Sequence, residues 1–223
     1  MISKKPQVTL LGSGKISKVV YHYVCQEWQI TSFAIEKPFV KNNEIVDGIL
    51  DHDLDELIEK KLLHSAFVAI GYDQLNSTRE RLVERLMENG IKINNFISKN
   101  SFVSDILVNG VNNIIFDNVT IHPGVSIGSN NFVWSQSLVS HGVTIGDNNW
   151  ITGSATLCGD CRLGNNNFIG AGATIAHNVI VEDNCFIGAN ALVEKNLRSG
   201  SVIVSEKSKV LPMDARRFIN FME

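Results

Sequence analysis

The chain has 223 residues, of which 44% are hydrophobic and 19% charged, and its formal charge is −3 at pH 7. This length allows one large domain or two small ones, and the slightly acidic balance argues against nucleic-acid binding. Its apolar runs are too short to cross a bilayer, and the first one ends in a glycine turn, so we expect neither membrane insertion nor a signal peptide. We expect a cytoplasmic protein whose four cysteines are reduced.

The first 95 residues alternate between strand-like and helix-like segments. QVTLLG is an apolar, β-branched run that stops at a GSG turn, and a helix with one apolar face is predicted over Lys15–Gln26. The strand-like segments TSFAIE and SAFVAIG are each followed by a helix-like segment, DLDELIEKKL and Ser77–Asn89. This alternation predicts a small parallel sheet with helices on its faces.

The second half has a period of six residues. Counted in sixes from Ile97 to Val193, sixteen of the seventeen positions are aliphatic, and only Asn109 departs from the pattern. Glycine and asparagine crowd the positions between, as in IGSNN and IGDNN. A chain that turns a corner every six residues explains this, because three segments make one triangular coil with the aliphatic side chains inside and Gly or Asn at the strained corners. The sequence predicts an unbroken parallel β-helix, called the prism below.

These hexapeptide repeats resemble the left-handed β-helix acyltransferases. The order of GSG, then VAIG-x(7)-R, then repeats is similar to that of the bacterial nucleotide-sugar acyltransferases of the sialic-acid O-acetyltransferase type, which include bacillosamine-pathway and perosamine N-acetyltransferases. The resemblance implies a Rossmann-like α/β domain at 1–95 that binds a nucleotide-linked sugar, a left-handed parallel β-helix at 96–200, and a C-terminal cap at 201–223. It also implies a homotrimer with acetyl-CoA in the groove between neighbouring prisms.

The resemblance also assigns roles to residues of the prism. The family's general base is a histidine in a His-x-x-x-Ile-Gly motif, and only HGVTIG, which begins at His141, matches it. Taken alone, His141 could be a plain surface histidine at a corner, but histidine is well suited to take a proton from an amine or hydroxyl. The resemblance places an oxyanion-binding backbone N–H at Gly159, one coil further along. His177, another coil along, is expected against the CoA thiol arm or a neighbouring chain.

Two positions near the expected base depart from the family pattern. The base is usually followed by Asn, Asp or Glu, which orients the imidazole, whereas Gly142 follows it here. The orienting group is then expected from Asp117, Asp147 or a neighbouring chain. A second histidine usually stands nine residues after the base. Here that residue is Trp150, which we expect either to line the acetyl-CoA pocket or to lie in a trimer interface.

Substrate-binding residues are expected at the carboxyl ends of the parallel strands, the usual ligand site of such sheets. The GSG turn can bring backbone N–H groups to an anion, although a tight strand–helix turn alone would also explain it. Arg79 is expected either to meet a phosphate or to be a solvated helix charge. With the family acid and the end of the third strand added, the predicted substrate-binding residues are Gly12, Ser13, Gly14, Glu36, Gly71 and Tyr72.

The C-terminal segment and the paired cysteines admit further predictions. SEKSK stands where the family carries Gly-x-Pro-Ala-Lys, and Lys209 is the aligned lysine, which implies a CoA contact. From Asp214 onward the sequence predicts a short amphipathic helix that caps the prism.

Cys158 and Cys161 form a C-x-x-C pair that can be a metal or redox half-site, but we favour small residues packed inside the prism.

The predicted function is acetyl-CoA-dependent N-acetylation of the amino group of a nucleotide-linked amino-deoxy sugar, for surface glycan biosynthesis. O-acetylation of a sialic acid or another sugar hydroxyl remains open, because both acceptors need the same base. A non-catalytic nucleotide-sugar-binding relative also remains open. A zinc carbonic anhydrase on the same prism would need three histidines at an interface, and its typical His-x(4)-His pair is missing, so we expect no metal.

Overall fold

The computed structural model describes residues 5–41, 43–104, 107–206 and 208–222. Residues 1–4 of the predicted first domain, and Lys207 of the SEKSK segment, lie outside the described residues. The strands of the N-terminal part are β1 (Gln7–Leu11), β2 (Gln29–Ile35), β3 (Glu44–Val46), β4 (Ile49–Asp53), β5 (Ser65–Val68) and β6 (Lys92–Ile93). Its helices are α1 (Lys15–Val24), α2 (Leu54–Glu59) and α3 (Ser77–Glu88), with 3₁₀ turns at Lys37–Phe39 and Asp73–Asn76.

The six N-terminal strands form one sheet in the order β3-β4-β2-β1-β5-β6. The central strands β1, β2 and β5 pair in parallel, and they are the three that the apolar runs predicted. The antiparallel pair β3–β4 and the short β6 were not predicted from the sequence. Helix α2 begins where the Asp53 carboxylate accepts a hydrogen bond from the N–H of Asp55, which caps the first turn.

In the second part, the residues that the structure describes form a stack of eighteen two-residue strands. They are β7 (Phe96–Ile97), β8 (Phe102–Val103), β9 (Leu107–Val108), β10 (Ile114–Ile115), β11 (Thr120–Ile121), β12 (Ser126–Ile127), β13 (Phe132–Val133), β14 (Leu138–Val139), β15 (Thr144–Ile145), β16 (Trp150–Ile151), β17 (Thr156–Leu157), β18 (Arg162–Leu163), β19 (Phe168–Ile169), β20 (Thr174–Ile175), β21 (Ile180–Val181), β22 (Phe186–Ile187), β23 (Leu192–Val193) and β24 (Val202–Ile203).

These strands form three parallel sheets, which are the faces of the prism. The first face holds β7, β10, β13, β16, β19, β22 and β24; the second holds β8, β11, β14, β17, β20 and β23; the third holds β9, β12, β15, β18 and β21. Over most of the prism, paired residues are eighteen apart in sequence, as for Ile121 and Val139. The second residue of nearly every strand is buried inside, which gives the predicted aliphatic core.

The predicted count in sixes is wrong at Asn109. In the structure Val108 pairs with Ile127, and Asn109 is exposed beyond the strand. The register therefore shifts by one residue in this coil, so that a valine rather than an asparagine takes the core-facing position of the strand. Burying an amide without a hydrogen-bond partner in an apolar interior is costly, and the shift leaves the Asn109 side chain outside.

The corners of the prism have a left-handed backbone. Glycine and asparagine adopt this conformation most readily, and aspartate and serine do so less often. The corner residues with positive φ are Asn112, Asn118, Gly124, Asn130, Gln136, Gly142, Asn148, Ser154, Asp160, Asn166, Gly172, Asn178, Asn184 and Asn190. The Gly and Asn enrichment that marked the repeats is thus a requirement of the corner backbone.

The α/β part packs against the first face of the prism. The outward side chains of that face form a stripe that is almost entirely aromatic and aliphatic: Phe96, Ile114, Phe132, Trp150, Phe168, Phe186 and Val202. Tyr23 and Trp28 from the α/β part join Phe96 and Phe132 in one hydrophobic cluster. This contact decides which prism face is covered.

Trp150 belongs to this junction, which corrects the expectation that it lines an acetyl-CoA pocket or a trimer interface. Only 2% of it is exposed. Its ring stacks on Phe132 at 4.8 Å between centroids, and Tyr72 covers it at 5.4 Å. The indole therefore packs between the prism and the α/β part of the same chain.

Arg79 also lies in the junction, so it is neither a solvated charge nor a phosphate ligand. It is 0% exposed, and its guanidinium lies over the Phe132 ring, 4.7 Å from the centroid. Burial lowers the pKa of Arg79 to about 9, which leaves it charged at neutral pH. Its hydrogen bonds run to amide and carbonyl oxygens of Asn76, Asn130, Asn148, Ile70 and Gly71.

These bonds brace a strained turn. Gln74, Leu75 and Asn76 have φ of 47°, 49° and 70°, a left-handed run that costs non-glycine residues roughly 1–2 kcal/mol each. Arg79 reaches this turn from α3 and ties it to the corner residue Asn130 of the prism. It therefore connects the end of the sheet to the prism through a single charged side chain.

The C-terminal helix α4 (Ala215–Met222) follows the prism. None of its side chains is buried in the single chain, so its predicted role as a cap stays a prediction. Within the described residues, no helix combines the length and the apolar character needed to cross a membrane.

We predict that Arg79→Met lowers the free energy of unfolding by at least about 3 kcal/mol, because several buried acceptors lose their donor together. Arg81→Met on the same helix is the matched control. Its exposed ion pair with Glu36 is worth no more than about 1 kcal/mol. Urea denaturation of both variants measures the difference, and equal losses would contradict the bracing role of Arg79.

Candidate active site

His141 lies at the corner between β14 on the second face and β15 on the third face. Coil stacking places Gly159 and then His177 at the same corner position one and two coils along. A Cβ on Gly159 would lie 2.7 Å from His141 Nε2. The imidazole of His141 therefore lies directly against the Gly159 backbone, and any larger side chain at that position would displace it.

Asp160 is a site residue that the sequence analysis missed. Its carboxylate Oδ2 lies 3.9 Å from His141 Nε2 and 3.9 Å from His177 Nδ1, between the two imidazoles. The three side chains are open to a ligand, with 66%, 51% and 59% exposure for His141, Asp160 and His177. The sequence did carry a signal for it, since Asp160 is eighteen residues after Gly142 and adjacent to Gly159.

The aspartates predicted to orient His141 from the same chain lie at other corners. Asp117, between the first and second faces, accepts hydrogen bonds from Ser98 and Asn100. Asp147, between the third and first faces, accepts one from the N–H of Ser129. Neither reaches the His141 corner, because each corner of the triangle forms a separate column. That prediction was wrong for both residues.

Two of the prism cysteines are packed inside it, as predicted, and one is not. Cys161 and Cys185 are 0% exposed, and burial raises the pKa of the Cys161 thiol to about 12. Cys158 is only partly buried, at the corner beside Gly159. Among the residues that the structure describes, no three His, Cys, Asp or Glu side chains are grouped to hold a metal ion.

A second candidate region is a cavity of ≈ 200 Å³ at the carboxyl ends of β1, β2 and β5. Of the predicted substrate-binding residues, Gly12 and Glu36 line it. The sequence analysis missed Phe39, Asp73 and Thr78, which also line it. Much of the remaining wall is aliphatic, which suits the flat face of a nucleobase better than a free sugar.

Gly12 is required where the cavity meets the sheet. Its φ is +111°, and a Cβ there would lie 2.9 Å from the carbonyl oxygen of Ala69. Gly14 and Ser13 lead into α1, where the Gly14 carbonyl accepts hydrogen bonds from the Ser17 hydroxyl and the Lys18 N–H. The glycine turn therefore has a structural reason in addition to any ligand role.

Glu36 is held in place by an ion pair. Arg81 donates to its two carboxylate oxygens at 2.9 and 2.8 Å, and this hydrogen bonding lowers the pKa of Glu36. Gly71 and Tyr72 do not line the cavity. The Gly71 carbonyl accepts a hydrogen bond from Arg79, and the Tyr72 ring packs at a tilt against Phe168, with 4.8 Å between centroids. Tyr72 therefore covers the aromatic stripe of the prism.

The cavity and His141 lie on opposite sides of one chain. The α/β part covers the first face, while His141 stands at the corner between the second and third faces. In a triangular prism that corner is opposite the first face. The structure of one chain therefore does not bring the predicted base and the predicted substrate residues together. Lys209 lies exposed beyond β24, in the C-terminal segment.

Comparisons with known proteins agree with this architecture. The family model described as "Bacterial transferase hexapeptide (six repeats)" matches residues 142–176 and again 160–195. No curated protein sequence matches the chain significantly. The matched stretch is thus built of these six-residue repeats.

Solved structures extend the likeness to nearly the whole chain. The acetyltransferase domain of PglB from Neisseria gonorrhoeae FA1090 matches with a TM-score of 0.79 at 20% identity, over 93% of this chain and 100% of that one. PerB from Caulobacter crescentus, solved with CoA and GDP-perosamine, matches at 0.76 and 23% identity over 91% and 94%. WeeI from Acinetobacter baumannii AYE matches at 0.59 and 18% identity over 93% and 100%.

Likenesses at this level of identity show the fold. They confirm the predicted fold class, an α/β N-terminal domain followed by a left-handed parallel β-helix. The resemblance on which the sequence analysis rested is thus confirmed at the level of the fold.

We predict that iodoacetamide labels Cys25 and Cys158 in the folded protein, while Cys161 and Cys185 stay unlabelled. The first two are partly exposed, whereas the other two are buried and burial raises their pKa values, so that they stay protonated thiols. Peptide mass spectrometry distinguishes the four sites, and labelling in urea is the control in which all react. Labelling of Cys161 as fast as Cys25 without urea would contradict the packing.

Proposed function

We propose that this protein transfers the acetyl group of acetyl-CoA to an amino group of a nucleotide-linked amino-deoxy sugar. The observation that carries the proposal is the exposed corner column in which the His141 imidazole lies against Gly159, 2.7 Å from where a Cβ would stand. Acyl transfer from a thioester needs a general base and a hydrogen-bond donor for the oxyanion. The His141 imidazole offers the base, and the adjacent backbone of Gly159 offers the donor. PerB with CoA and GDP-perosamine and the PglB domain with acetyl-CoA, which share the fold, support the choice of substrates.

In the proposed reaction the acceptor amine attacks the thioester carbonyl carbon, and His141 takes the proton that the amine loses. The Gly159 N–H, for which no acceptor is found among the described residues, donates to the oxyanion of the tetrahedral intermediate. The C–S bond then breaks, the carbonyl re-forms, and the CoA sulfur leaves and takes up a proton as the free thiol. His177 and Lys209 would contact CoA, on either side of this centre.

We further propose a homotrimer in which the site is shared between chains. The cavity that would hold the nucleotide lies on the first-face side, and His141 stands at the opposite corner. A neighbouring chain that turns its α/β part toward this corner would bring the two together. A cytoplasmic location and a role in surface glycan biosynthesis go with this proposal, because nucleotide sugars and acetyl-CoA are its two substrates.

We predict that His141→Ala lowers kcat by about 10²–10⁴-fold, the usual loss for a general base. His122→Ala is the matched control, because His122 is another histidine of the same corner one coil earlier. The His122→Ala variant should keep the activity of the wild type. The measurement is thiol release from acetyl-CoA with UDP-, dTDP- and GDP-linked amino-deoxy sugars and with the corresponding hydroxyl sugars. Full turnover by His141→Ala would remove His141 as the base. Activity only with hydroxyl sugars would turn the proposal toward O-acetylation.

We predict that two inactive variants restore activity when they are assembled together. Thr78→Trp fills the cavity from α3, and His141→Ala removes the base, so each variant alone is inactive. In mixed trimers one chain supplies the cavity and another the histidine, and random mixing restores about a quarter of the sites. If the mixture gains nothing over its separate components, the shared site is wrong.

A further inference from the structure

At the corner that carries His141, position 142 is a glycine, and the carboxylate of Asp160 lies where a side chain at that position would stand. Gly142 has a left-handed φ of 67°, and Asp160, one coil along in the same column, has a φ of 57°. A Cβ on Gly142 would fall on the Oδ1 of Asp160. The carboxylate of Asp160 therefore occupies the space that a side chain at position 142 would fill, and glycine at 142 is what leaves room for it.

Both glycines of this corner fix where the carboxylate stands relative to His141. Gly159 lets the imidazole lie flat against the next coil, and Gly142 lets the carboxylate rise toward it. The Asp160 N–H donates to the His141 carbonyl at 3.0 Å, which ties the two residues together through the backbone. His177 limits the carboxylate from the far side, with its Nδ1 3.9 Å from the same Oδ2.

We propose that Asp160 is the positioning residue of His141, and that it does from the next coil what a polar side chain at position 142 would otherwise do. This inference rests on the proposed function. The carboxylate faces Nε2 of the ring from 3.9 Å, which favours the tautomer with a proton on Nε2 and leaves Nδ1 to receive the proton from the amine. It then stabilises the imidazolium that forms, and the separation of 3.9 Å shortens to a hydrogen bond once charge develops.

The geometry makes a sharp exchange experiment possible. Corner positions 142 and 160 share a left-handed backbone that accepts glycine or aspartate, so the carboxylate can be moved by one coil. The variants are Asp160→Asn, Asp160→Gly, and the exchange variant that combines Asp160→Gly with Gly142→Asp. The matched control is Asp147→Asn, a corner carboxylate of another column that binds the Ser129 N–H.

We expect Asp160→Asn to lower kcat by about 10–100-fold, the loss found when a carboxylate that orients a metal-bound histidine is removed, with both KM values nearly unchanged. The exchange variant should recover at least about tenfold over Asp160→Gly, because it returns a carboxylate to the same space. Asp147→Asn should behave as the wild type. Unchanged kcat in Asp160→Asn, a loss confined to the KM for acetyl-CoA, or no recovery in the exchange variant would each overturn the proposal.

A second readout separates this inference from the proposed function. NMR relaxation of the His141 ring Cε1–H bond reports whether the ring is held, with or without turnover. We expect a rigid ring in the wild type and the exchange variant, and a mobile ring in Asp160→Asn. Equal mobility in the wild type and Asp160→Asn overturns the positioning role. A rigid wild-type ring without turnover of any sugar would instead keep the positioning role and reject the proposed function.

Discussion

Parallel pairing of strands eighteen residues apart is the constraint on which the structure depends. It turns each corner of the prism into a column whose members share one backbone conformation, and that conformation is left-handed at positions such as Gly142 and Asp160. Because only a few residue types adopt it readily, the side chains at these left-handed positions are largely limited to glycine, amides, carboxylates and small hydroxyl groups, whereas the neighbouring corner positions accept a histidine such as His141. Asp160 therefore satisfies the fold and the His141 corner with the same side chain.

The prism has three outer faces, and among the described residues the α/β part covers the first of them. The aromatic stripe on the first face accounts for this, since Phe132 and Trp150 offer the α/β part a large apolar surface. Arg79 completes the contact with hydrogen bonds to amide and carbonyl oxygens, which satisfy a buried charge without a carboxylate. Placing the α/β part there leaves the His141 corner on the opposite side, where it is accessible to another molecule.

The sequence determined the fold better than it determined the site. A six-residue aliphatic period has few structural explanations, so the prism followed from it, as did the sheet from the alternating apolar runs. The prediction was wrong at Asn109 because counting every sixth residue cannot detect a one-residue shift of the strand register to Val108. Inside and outside positions alternate visibly, but Trp150 and Thr156 are both outside positions, and only docking decides which one is covered. The burial of Arg79 could not be predicted from the sequence for the same reason, since it depends on how the α/β part docks on the prism.

Asp160 illustrates a different limit, because the relation that links it to Gly142 runs across the coils rather than along the chain. Gly142 looked like a missing orienting group when compared only with its sequence neighbours. In a stacked coil the nearest neighbour of a corner residue is often the residue eighteen positions away, so a side chain lost from one coil can be replaced from the next. A column that accepts either glycine or aspartate at each level lets this exchange occur without disturbing the strands.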